Sequence, residues 1–539
     1  MSASPLQPES GTGAVITLVE QIRRRALEDP EAIILKHVDG RELSYAALWD
    51  SAVGGAQSLA GLGVTPGDHV ATFLSDYFAS FANWLAIALL GAVEVPLNPA
   101  LRADSLLHPI TDSAPTAIVT SSVLFPHIEA IGGRLPAGER VVVIDVDEPS
   151  TDSIGAVGRS VWLSGAESGA AIAVPEPWDP ACIVYTSGTT GRPKGVIIPW
   201  GQIAQNMRTS IMMVQGNPGP RYCYAAPFHM SGKYNLAAAV LSRETLVVRD
   251  GFSLSQFWSD IRTHGCTYAQ LFPQLARLLL AQTKSESDVD NTLSRVVCSP
   301  AFAEVDEFKA RFGVDRVSSG FGTTEIGGPI ANMNVTGADW HTCGKVVDNA
   351  SGIEVEIVDE HDRPVPRGEA GEIVVRTRAP WALTAGYLGL PEATAASWRN
   401  GWFHTGDAAR IGDDGNYVFV DRLKDYVRHK GENISSFELE SYIQENPAVK
   451  EVAVIGVPSD LGEEDIKAVI LLEPERTLTP LDLIVDLETR VPKFMIPRYV
   501  EVVADFPRTA ATGRIQKAEL KKQPMTSATW DRRTVTGRG

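Results

Sequence analysis

Between residues 40 and 99 the sequence alternates segments of helical spacing with short apolar segments typical of buried strands. Residues 43–63 have helical spacing, residues 69–74 read as a short buried strand, and an apolar helix from Phe81 leads into the strand-like residues 92–97. This alternation is typical of βα units that build a largely parallel sheet covered by helices. We therefore predict an α/β fold whose large N-terminal domain contains parallel-rich sheets.

After about Ser351 the pattern changes to short alternating runs separated by Gly, Pro and Asp, which predicts a β-rich lobe. A boundary near residues 421–425 divides a large N-terminal domain, 1–421, from a small α+β C-terminal domain, 422–522. Residues 523–539 are polar and predict a flexible tail, with a basic interaction arm as the alternative. The expected elements of the small domain are helices at Ser436–Glu445 and Leu481–Arg490 and strands at Glu451–Val457 and Ile466–Leu472.

The amino-acid composition argues against several classes of function. The 539 residues are 44% hydrophobic and 21% charged, as in an ordinary globular protein, and the net charge of −18 argues against a nucleic-acid or anionic-membrane binder. The longest apolar stretch, residues 81–95, is interrupted by Asn83, Gly91 and Glu94 and falls short of the ~20 residues that span a bilayer. Residues 1–13 show no signal-peptide pattern, so we expect a cytoplasmic protein. The five scattered cysteines predict neither a disulfide framework nor a zinc site.

The segment YTSGTTGRPKG, residues 185–195, follows the apolar strand ACIV and combines glycines, hydroxyls and cations. Glycines let the backbone turn successive N–H groups toward one point, and a nearby lysine adds a mobile charge, so the segment suits a polyphosphate. The Walker pattern does not fit its spacing. The candidate phosphate-binding residues are Thr186, Ser187, Gly188, Thr189, Thr190, Gly191 and Lys194.

This segment resembles the phosphate loop of the adenylate-forming superfamily, which includes acyl-CoA synthetases, firefly-type luciferases and the adenylation domains of peptide synthetases. Further segments appear in the order that the family requires, so that the resemblance spans about residues 30 to 520. They are VEVPLNP (93–99), PFH (227–229), FGTTE (321–325), GEI (371–373), GWFHTGD (401–407), DRLKD (421–425) and KGEN (430–433). The resemblance implies a two-domain fold in which the small domain rotates between two half-reactions.

The resemblance implies a nucleotide site with ATP, AMP or an acyl-adenylate as the ligand. Thr324, preceded by Gly322 and Thr323, would contact the α-phosphate, and Glu325 would hold Mg²⁺. Phe321, where relatives often have Tyr, would offer a flat apolar face to the adenine. Asp407 would accept hydrogen bonds from both ribose hydroxyls, and Arg422 would donate to ribose or phosphate.

The resemblance also implies a thiol-transfer site. Phe228 and His229 would lie beside the acyl carboxylate and the route of the coenzyme A thiol. No aspartate stands nearby to bind an α-ammonium, so a substrate without an α-amino group is expected. Lys424 occupies the hinge position, and Gly431 matches the glycine that lines the pantetheine tunnel. The cationic residues 428–430 either meet coenzyme A phosphates or form a solvated loop.

One departure from the family concerns adenylation. Near the C-terminus relatives carry a loop ending in Gly-Lys, whose lysine bridges the acyl carboxylate and the α-phosphate, whereas Arg514 stands at that position here and the loop is one residue longer. A guanidinium is wider and planar, and loss of one charged donor costs roughly 1.5–3 kcal/mol. Adenylation would then be weakened while thiol transfer stays intact. Alternatively, Arg514 suffices or Lys517 takes over.

Other departures concern the acyl pocket. Residues 298–301, CSPA, replace a Gly-Gly-Ala-like turn, and residues 272–274, FPQ, replace Val-Pro-Thr. Together with Phe228 and Phe321, Phe272 and Cys298 predict an apolar pocket for an aromatic, alicyclic or fatty acid, although the same aromatic side chains suit a core.

Three functions follow from the sequence. The first is an AMP-forming acyl-CoA ligase that acts on a non-amino carboxylic acid with ATP, Mg²⁺ and coenzyme A. The second is a ligase that only transfers a preformed acyl-adenylate to coenzyme A, and the third is a nucleotide-binding protein without turnover. The sequence leaves a homodimer open and identifies neither the acid nor the pathway.

Overall fold

The computed structural model describes residues 15–135, 140–145, 156–158, 169–186, 193–213, 218–347, 352–422, 426–429, 432–459, 462–507, 515 and 517–536. The fold is α/β, with a large N-terminal domain and a small C-terminal domain, as the alternating pattern predicted.

A seven-stranded sheet forms around the first βα units. Its centre is parallel, and the hairpin that carries the proposed phosphate loop lies beside it with an antiparallel pair. In spatial order its strands are Gly386–Tyr387, Lys194–Pro199, Pro180–Thr186, Val93–Pro96, His69–Phe73, Ala117–Thr120 and Arg140–Val143.

A nine-stranded sheet forms the second half of the large domain. Its central strands are parallel and its two edges are antiparallel. In spatial order the strands are Lys345–Val346, Gly327–Asn332, Arg316–Thr323, Arg295–Cys298, Tyr268–Leu271, Arg221–Cys223, Leu246–Val248, Ile33–His37 and Glu42–Ser44.

Helices cover the two sheets and fill the space between them. The predicted apolar helix is Tyr77–Leu89, which leads into the strand Val93–Pro96, and its Trp84 ring stacks on Trp200 with 5.0 Å between centroids. The other helices of this domain are Leu18–Glu28, Tyr45–Gly61, Ala103–Ser113, Phe125–Glu129, Trp200–Met213, Met230–Ser242, Phe257–His264, Pro273–Ala281 and Val305–Phe312, with 3₁₀ turns at Gly132–Arg134 and Glu286–Val289.

The predicted β-rich lobe is an antiparallel sheet at the end of the large domain. Its strands are Ile353–Val358, Gly371–Thr377, Trp402–Ile411, Trp398–Arg399 and Tyr417–Arg422, and the helix Pro391–Ser397 packs beside it.

The small domain has a hairpin, a four-stranded sheet and helices, in agreement with the predicted elements. The hairpin strands are Tyr426–His429 and Glu432–Ser435, and the sheet contains Val449–Pro458, Glu464–Leu472, Tyr499–Val502 and Trp530–Asp531. The helices are Ser436–Gln444, Pro480–Glu488, Lys517–Lys522 and Arg533–Thr536, with a 3₁₀ turn at Lys493–Met495.

The C-terminal segment differs from the flexible tail that the sequence predicts. Residues 530–531 pair with the strand Tyr499–Val502. Arg498 binds Asp531 at 3.0 Å, and the buried Lys467 ammonium donates to the Pro524 carbonyl at 2.7 Å. Polar residues are ordered here because they satisfy buried charges of the small domain.

Across the parts of the chain that the structure describes, no helix combines the length and apolar character needed to cross a bilayer.

Candidate functional site

A cavity of about 1520 Å³ lies between the two domains at the ends of the strands. Most of the residues selected from the sequence that the structure describes line it, although they come from separate parts of the chain. These are Thr186, Lys194, Phe228, His229, Phe272, Phe321, Gly322, Thr323, Thr324, Glu325 and Asp407.

The strand hairpin Pro180–Thr186 and Lys194–Pro199 positions the two ends of the phosphate segment. Thr186 and Lys194 are opposite each other in its antiparallel register, so Lys194 faces the cavity beside the strand end. The Lys194 ammonium lies 5.0 Å from the centroid of the Tyr387 ring. Residues 187–192, with Ser187, Gly188, Thr189, Thr190 and Gly191, lie outside the described residues.

The segment 321–325 is held by amide side chains that the sequence reading missed. Gln202 Nε2 donates to the Thr324 carbonyl at 2.7 Å, and Asn206 Oδ1 accepts from the Gly328 amide at 2.9 Å. Both amides lie one turn apart on the helix Trp200–Met213 and are buried. Two amide residues spaced four apart lie on the same face of a helix, and buried polar side chains need hydrogen-bond partners. This spacing is the sequence signal that could have identified them.

Glu325 is oriented by Tyr387, whose hydroxyl donates to Glu325 Oε1 at 3.2 Å. The same phenol ring lies under the Lys194 ammonium. Tyr387 therefore connects the lysine of the phosphate segment with the proposed metal ligand, and nothing in its local sequence indicated this role.

Gly322 is required by close backbone packing. A Cβ atom there would lie 2.1 Å from the Gly327 carbonyl oxygen. The neighbouring Phe321 ring stacks on Phe419 with 6.1 Å between centroids, and both rings line the cavity. The two rings provide a flat apolar wall, to which Phe419 adds a residue that the sequence reading missed.

Asp407 is buried on the strand Trp402–Ile411 and lines the cavity. Glu372 shapes the preceding turn, because its carboxylate accepts from the Gly406 amide and contacts His404 Nδ1, both at 2.9 Å. Arg422 is opposite Asp407 in the strand register, although its side chain lies outside the described residues.

His229 caps the helix Met230–Ser242. Its Nδ1 accepts from the Ser231 backbone amide at 3.2 Å and lies 2.8 Å from the Ser231 hydroxyl. Because a backbone N–H can only donate, the neutral ring carries its proton on Nε2. The His229 side chain is exposed to the cavity, but desolvation by the surrounding protein lowers its pKa, and the Glu432 carboxylate acts in the opposite direction. His229 thus offers an Nε2–H donor in neutral solution.

Only some of the residues that the sequence assigns to the acyl pocket line the cavity. Phe228 and Phe272 line the cavity, whereas Cys298 is fully buried and does not line it. Strand side chains alternate between faces, so Val297 and Ser299 face the cavity and Cys298 faces the core. Burial raises the pKa of the Cys298 thiol, as expected for a core cysteine.

The hairpin Tyr426–His429 and Glu432–Ser435 contributes the small-domain wall of the cavity, with Arg428, Glu432 and Ile434. Arg428 Nη2 donates to the Ser299 carbonyl at 3.3 Å across the domain boundary. His429 is buried with Nδ1 2.7 Å from the Glu464 carbonyl. Arg428 and His429 are therefore part of the wall and its support.

Lys517 is not among the cavity-lining residues. Its ammonium binds the Glu440 carboxylate at 2.6 Å and the Ser436 hydroxyl at 2.8 Å within the small domain. Lys424, Gly431 and Arg514 lie outside the described residues.

Comparison with known families identifies both domains. Residues 22–388 match the family described as AMP-binding enzyme, and residues 438–512 match the AMP-binding enzyme C-terminal domain. The chain belongs to the AMP-binding enzyme family. It lies in the acyl-CoA synthetase branch of the adenylate-forming superfamily, as the motifs predicted, and the function at family level is that of an acyl-CoA ligase.

A related protein is the crotonobetaine/carnitine–CoA ligase of Salmonella paratyphi A, which is 30% identical over 505 residues that cover 92% of this chain and 96% of the relative. Among solved structures, a double mutant of o-succinylbenzoate CoA synthetase (MenE) from Bacillus subtilis with a product analogue, OSB-NCoA, superposes with a TM-score of 0.81, 24% identity and coverage of 93% and 98%. The same synthetase in complex with AMP superposes with a TM-score of 0.65 and 23% identity, and the match covers 95% of this chain and 99% of the synthetase.

Proposed function

We propose that the protein is an AMP-forming acyl-CoA ligase. It would convert a carboxylic acid without an α-amino group and ATP into an acyl-adenylate and pyrophosphate, and then transfer the acyl group to the coenzyme A thiol with release of AMP. The observation that carries the proposal is the shared cavity, in which Lys194, Thr324, Glu325, Asp407 and His229 face the small-domain hairpin.

The nucleotide would lie along the large-domain wall. Thr186, Lys194 and Thr324 would donate to the phosphates, Asp407 would hold the ribose, and Phe321 with Phe419 would contact the adenine. Within the described residues no cluster of three metal-ligating side chains is present. Glu325 nevertheless fits Mg²⁺, because this ion commonly takes one carboxylate together with substrate phosphates and water. Bound there, Mg²⁺ would neutralise phosphate charge.

The acid would lie beside His229. A neutral imidazole that donates from Nε2 suits a carboxylate or the carbonyl oxygen derived from it, and avoids a second full charge at the reacting group. The carboxylates of the described cavity wall are Glu325, Glu372, Asp407, Glu432, Glu438 and Glu464. The first three lie on the nucleotide side and the last three on the small domain. None belongs to the large-domain wall around His229, although the Glu432 carboxylate acts on this histidine from the small domain.

Thiol transfer would use the small-domain hairpin. The hairpin already faces the cavity, and Arg428 contacts the large domain at Ser299. Lys424 as the hinge, Gly431 as the tunnel glycine and the domain limits 1–421 and 422–522 remain part of the proposal.

A ligase that only transfers a preformed adenylate is the second candidate. Arg514 replaces the usual lysine. Lys517, the alternative cation, is bound to Glu440 and Ser436 within the small domain. Rotation of the small domain as a rigid unit would keep Lys517 in that ion pair, so this lysine is a poor substitute.

The experiment separates the half-reactions. A panel of carboxylic acids is incubated with ATP and coenzyme A, and matching synthetic acyl-adenylates are incubated with coenzyme A alone. Mass spectrometry for acyl-CoA and a pyrophosphate assay then distinguish the candidates. The first function predicts both products, and the second predicts acyl-CoA only from adenylates. Binding of AMP without product from either source would contradict both. Brisk pyrophosphate release by the wild type, compared with Arg514→Lys, would exclude the transfer-only ligase.

A further inference from the structure

Away from the proposed nucleotide wall, one face of the helix Met230–Ser242 lines the cavity, and we call this part of the cavity the channel. Ser231, Asn235 and Ala238 line it at intervals of four and three residues, as expected for one helix face. Opposite them are Tyr268 and Gln270, which alternate on the strand Tyr268–Leu271. From Ser231 to Ala238 the channel extends about 10 Å, at ~1.5 Å per helical residue.

Two amide side chains of the channel wall, Asn235 and Gln270, are hydrogen-bonded to each other. Asn235 Nδ2 donates to the Ser231 carbonyl at 2.9 Å and to Gln270 Oε1 at 3.0 Å. The Ser231 carbonyl can only accept, so it fixes the orientation of the Asn235 amide. Asn235 therefore presents nitrogen to Gln270, and Gln270 must present its oxygen in return.

This arrangement leaves the Gln270 amide nitrogen for a ligand. Gln270 Nε2 makes no hydrogen bond with any of the described residues, while Gln270 is partly exposed in the cavity. Its strand pairs in register with Val297, which also lines the cavity, so the backbone holds the side chain on the channel face. A hydrocarbon chain against this N–H₂ group would exclude water without replacing its hydrogen bonds, which is unfavourable.

The floor of the channel is positively polarised. Arg221, 1% exposed, and Arg295 share the Glu244 carboxylate at 2.8 and 3.1 Å. The Arg221 guanidinium lies 4.0 Å from the centroid of the Tyr268 ring, which lines the channel. Two cations and one anion beneath the channel favour an electron-rich group at the far end of the acyl chain.

We propose that the acid carries an oxygen acceptor along its acyl chain, bound by Gln270 Nε2, so that the substrate is an oxygenated acid and not a plain fatty or aromatic hydrocarbon acid. This inference rests on the proposed function, since the channel is taken as the acyl site. The oxygen of a neutral carbonyl or hydroxyl group, or of a second carboxylate, can accept this hydrogen bond. This proposed site differs from the purely apolar pocket expected from the phenylalanines.

The test compares acids of equal length. Octanoate, a series of oxooctanoates with the ketone at successive positions, and octanedioate are assayed for acyl-CoA formation with ATP and coenzyme A. A site built to bind an oxygen should prefer at least one oxygenated acid by about tenfold or more in kcat/KM. A ketone as the best substrate identifies a neutral acceptor, and octanedioate as the best identifies a second carboxylate.

Two variants at one position sharpen the test. Gln270→Leu should raise kcat/KM for octanoate and remove the preference for the oxygenated acid. Gln270→Glu keeps the acceptor for Asn235 but replaces the N–H₂ donor by oxygen, so it should also lose the preference. Gln256→Leu is the control, because Gln256 is exposed and does not line the cavity.

The outcomes separate this inference from the proposed function. Octanoate as the best wild-type substrate, or an equal loss for every acid in Gln270→Leu, overturns the inference. If no acid of this series yields acyl-CoA, the wider acid and adenylate panel decides the proposed function, and thermal shifts with octanoyl and oxooctanoyl sulfamoyl-adenosines still decide the inference. Tighter binding of the oxo analogues, removed by both Gln270 variants, supports it, and equal binding overturns it.

Discussion

The two walls of the cavity are built in different ways. On the large-domain wall, side chains from one sheet or helix bind backbone atoms of another, as Gln202 does at Thr324 and Asn206 at Gly328. The small-domain wall is a two-stranded hairpin, and Arg428 contacts the large domain at the Ser299 carbonyl. The first wall is fixed by packing within the large domain, whereas the second would be exchanged by the small-domain rotation that the proposed function includes. Changes to the large-domain wall should therefore affect both half-reactions, and changes to the small-domain wall only one.

The largest effect is expected beneath the large-domain wall. Lys233, on the helix that His229 caps, binds Glu94 at 2.5 Å and lies 3.9 Å from the Trp84 ring centroid, and both charged side chains are 1% exposed. Lys233→Met leaves Glu94 buried without its cation, so we expect a loss of roughly 3–5 kcal/mol in the free energy of unfolding. Urea denaturation measures it.

The control for this variant is the double change Lys233→Met with Glu94→Met, which removes both charges and should recover most of the loss. If the double variant is as unstable as the single one, the loss comes from packing and the ion pair does not stabilise the wall.

Gly322→Ala tests whether the large-domain wall serves both steps. The added Cβ would lie 2.1 Å from the Gly327 carbonyl, so Thr323 to Glu325 must move. A displacement of about 1 Å at a reacting centre can cost about a hundredfold in rate. We expect losses of this size in pyrophosphate release and in thiol transfer from a synthetic adenylate. Gly133→Ala, an exposed position with open space around it, should leave both rates unchanged.

Arg428→Ala tests the small-domain wall. It removes a charge-assisted hydrogen bond to the Ser299 carbonyl, worth roughly 1 kcal/mol at 3.3 Å. Thiol transfer should slow by about fivefold, and pyrophosphate release should keep its rate. Stopped-flow assays of the separate half-reactions measure both. An equal loss in the two steps would show that the hairpin is not exchangeable.

The smallest effect is a pH dependence confined to the small-domain wall. Burial raises the pKa of Glu438 from 4.5 to about 8. The folded state therefore holds the proton more tightly, and the stability gained is complete below pH 4.5 and lost as the pH rises through about 8. Glu438→Gln should raise the unfolding free energy, relative to the wild type, by about 1 kcal/mol more at pH 8 than at pH 7. Thermal melts of the variant and the wild type at the two pH values measure this change. A stability difference between the two proteins that does not vary with pH would contradict the prediction.

The sequence predicted the elements that carry the site because their patterns are local. The apolar helix before Val93–Pro96 and the alternating strands of the small domain are where the spacing indicated. Cys298 was assigned to the acyl pocket although strand alternation turns it into the core, so its neighbour Ser299 lines the cavity. The C-terminal segment was read as a tail because its polar residues are matched to charges, such as Lys467, that are distant in sequence.

Local composition and motif order by themselves determined the α/β class, the two domains, the family and many of the residues that line the cavity, because glycines, hydroxyls and a strand end act over a few residues. Tertiary structure alone decided which polar groups meet across the cavity. The Asn235 and Gln270 amides come from a helix and a strand 35 residues apart, and only their contact leaves the one donor that we propose selects the acid. Hydrogen-bond geometry depends on distances between elements, which no local pattern specifies.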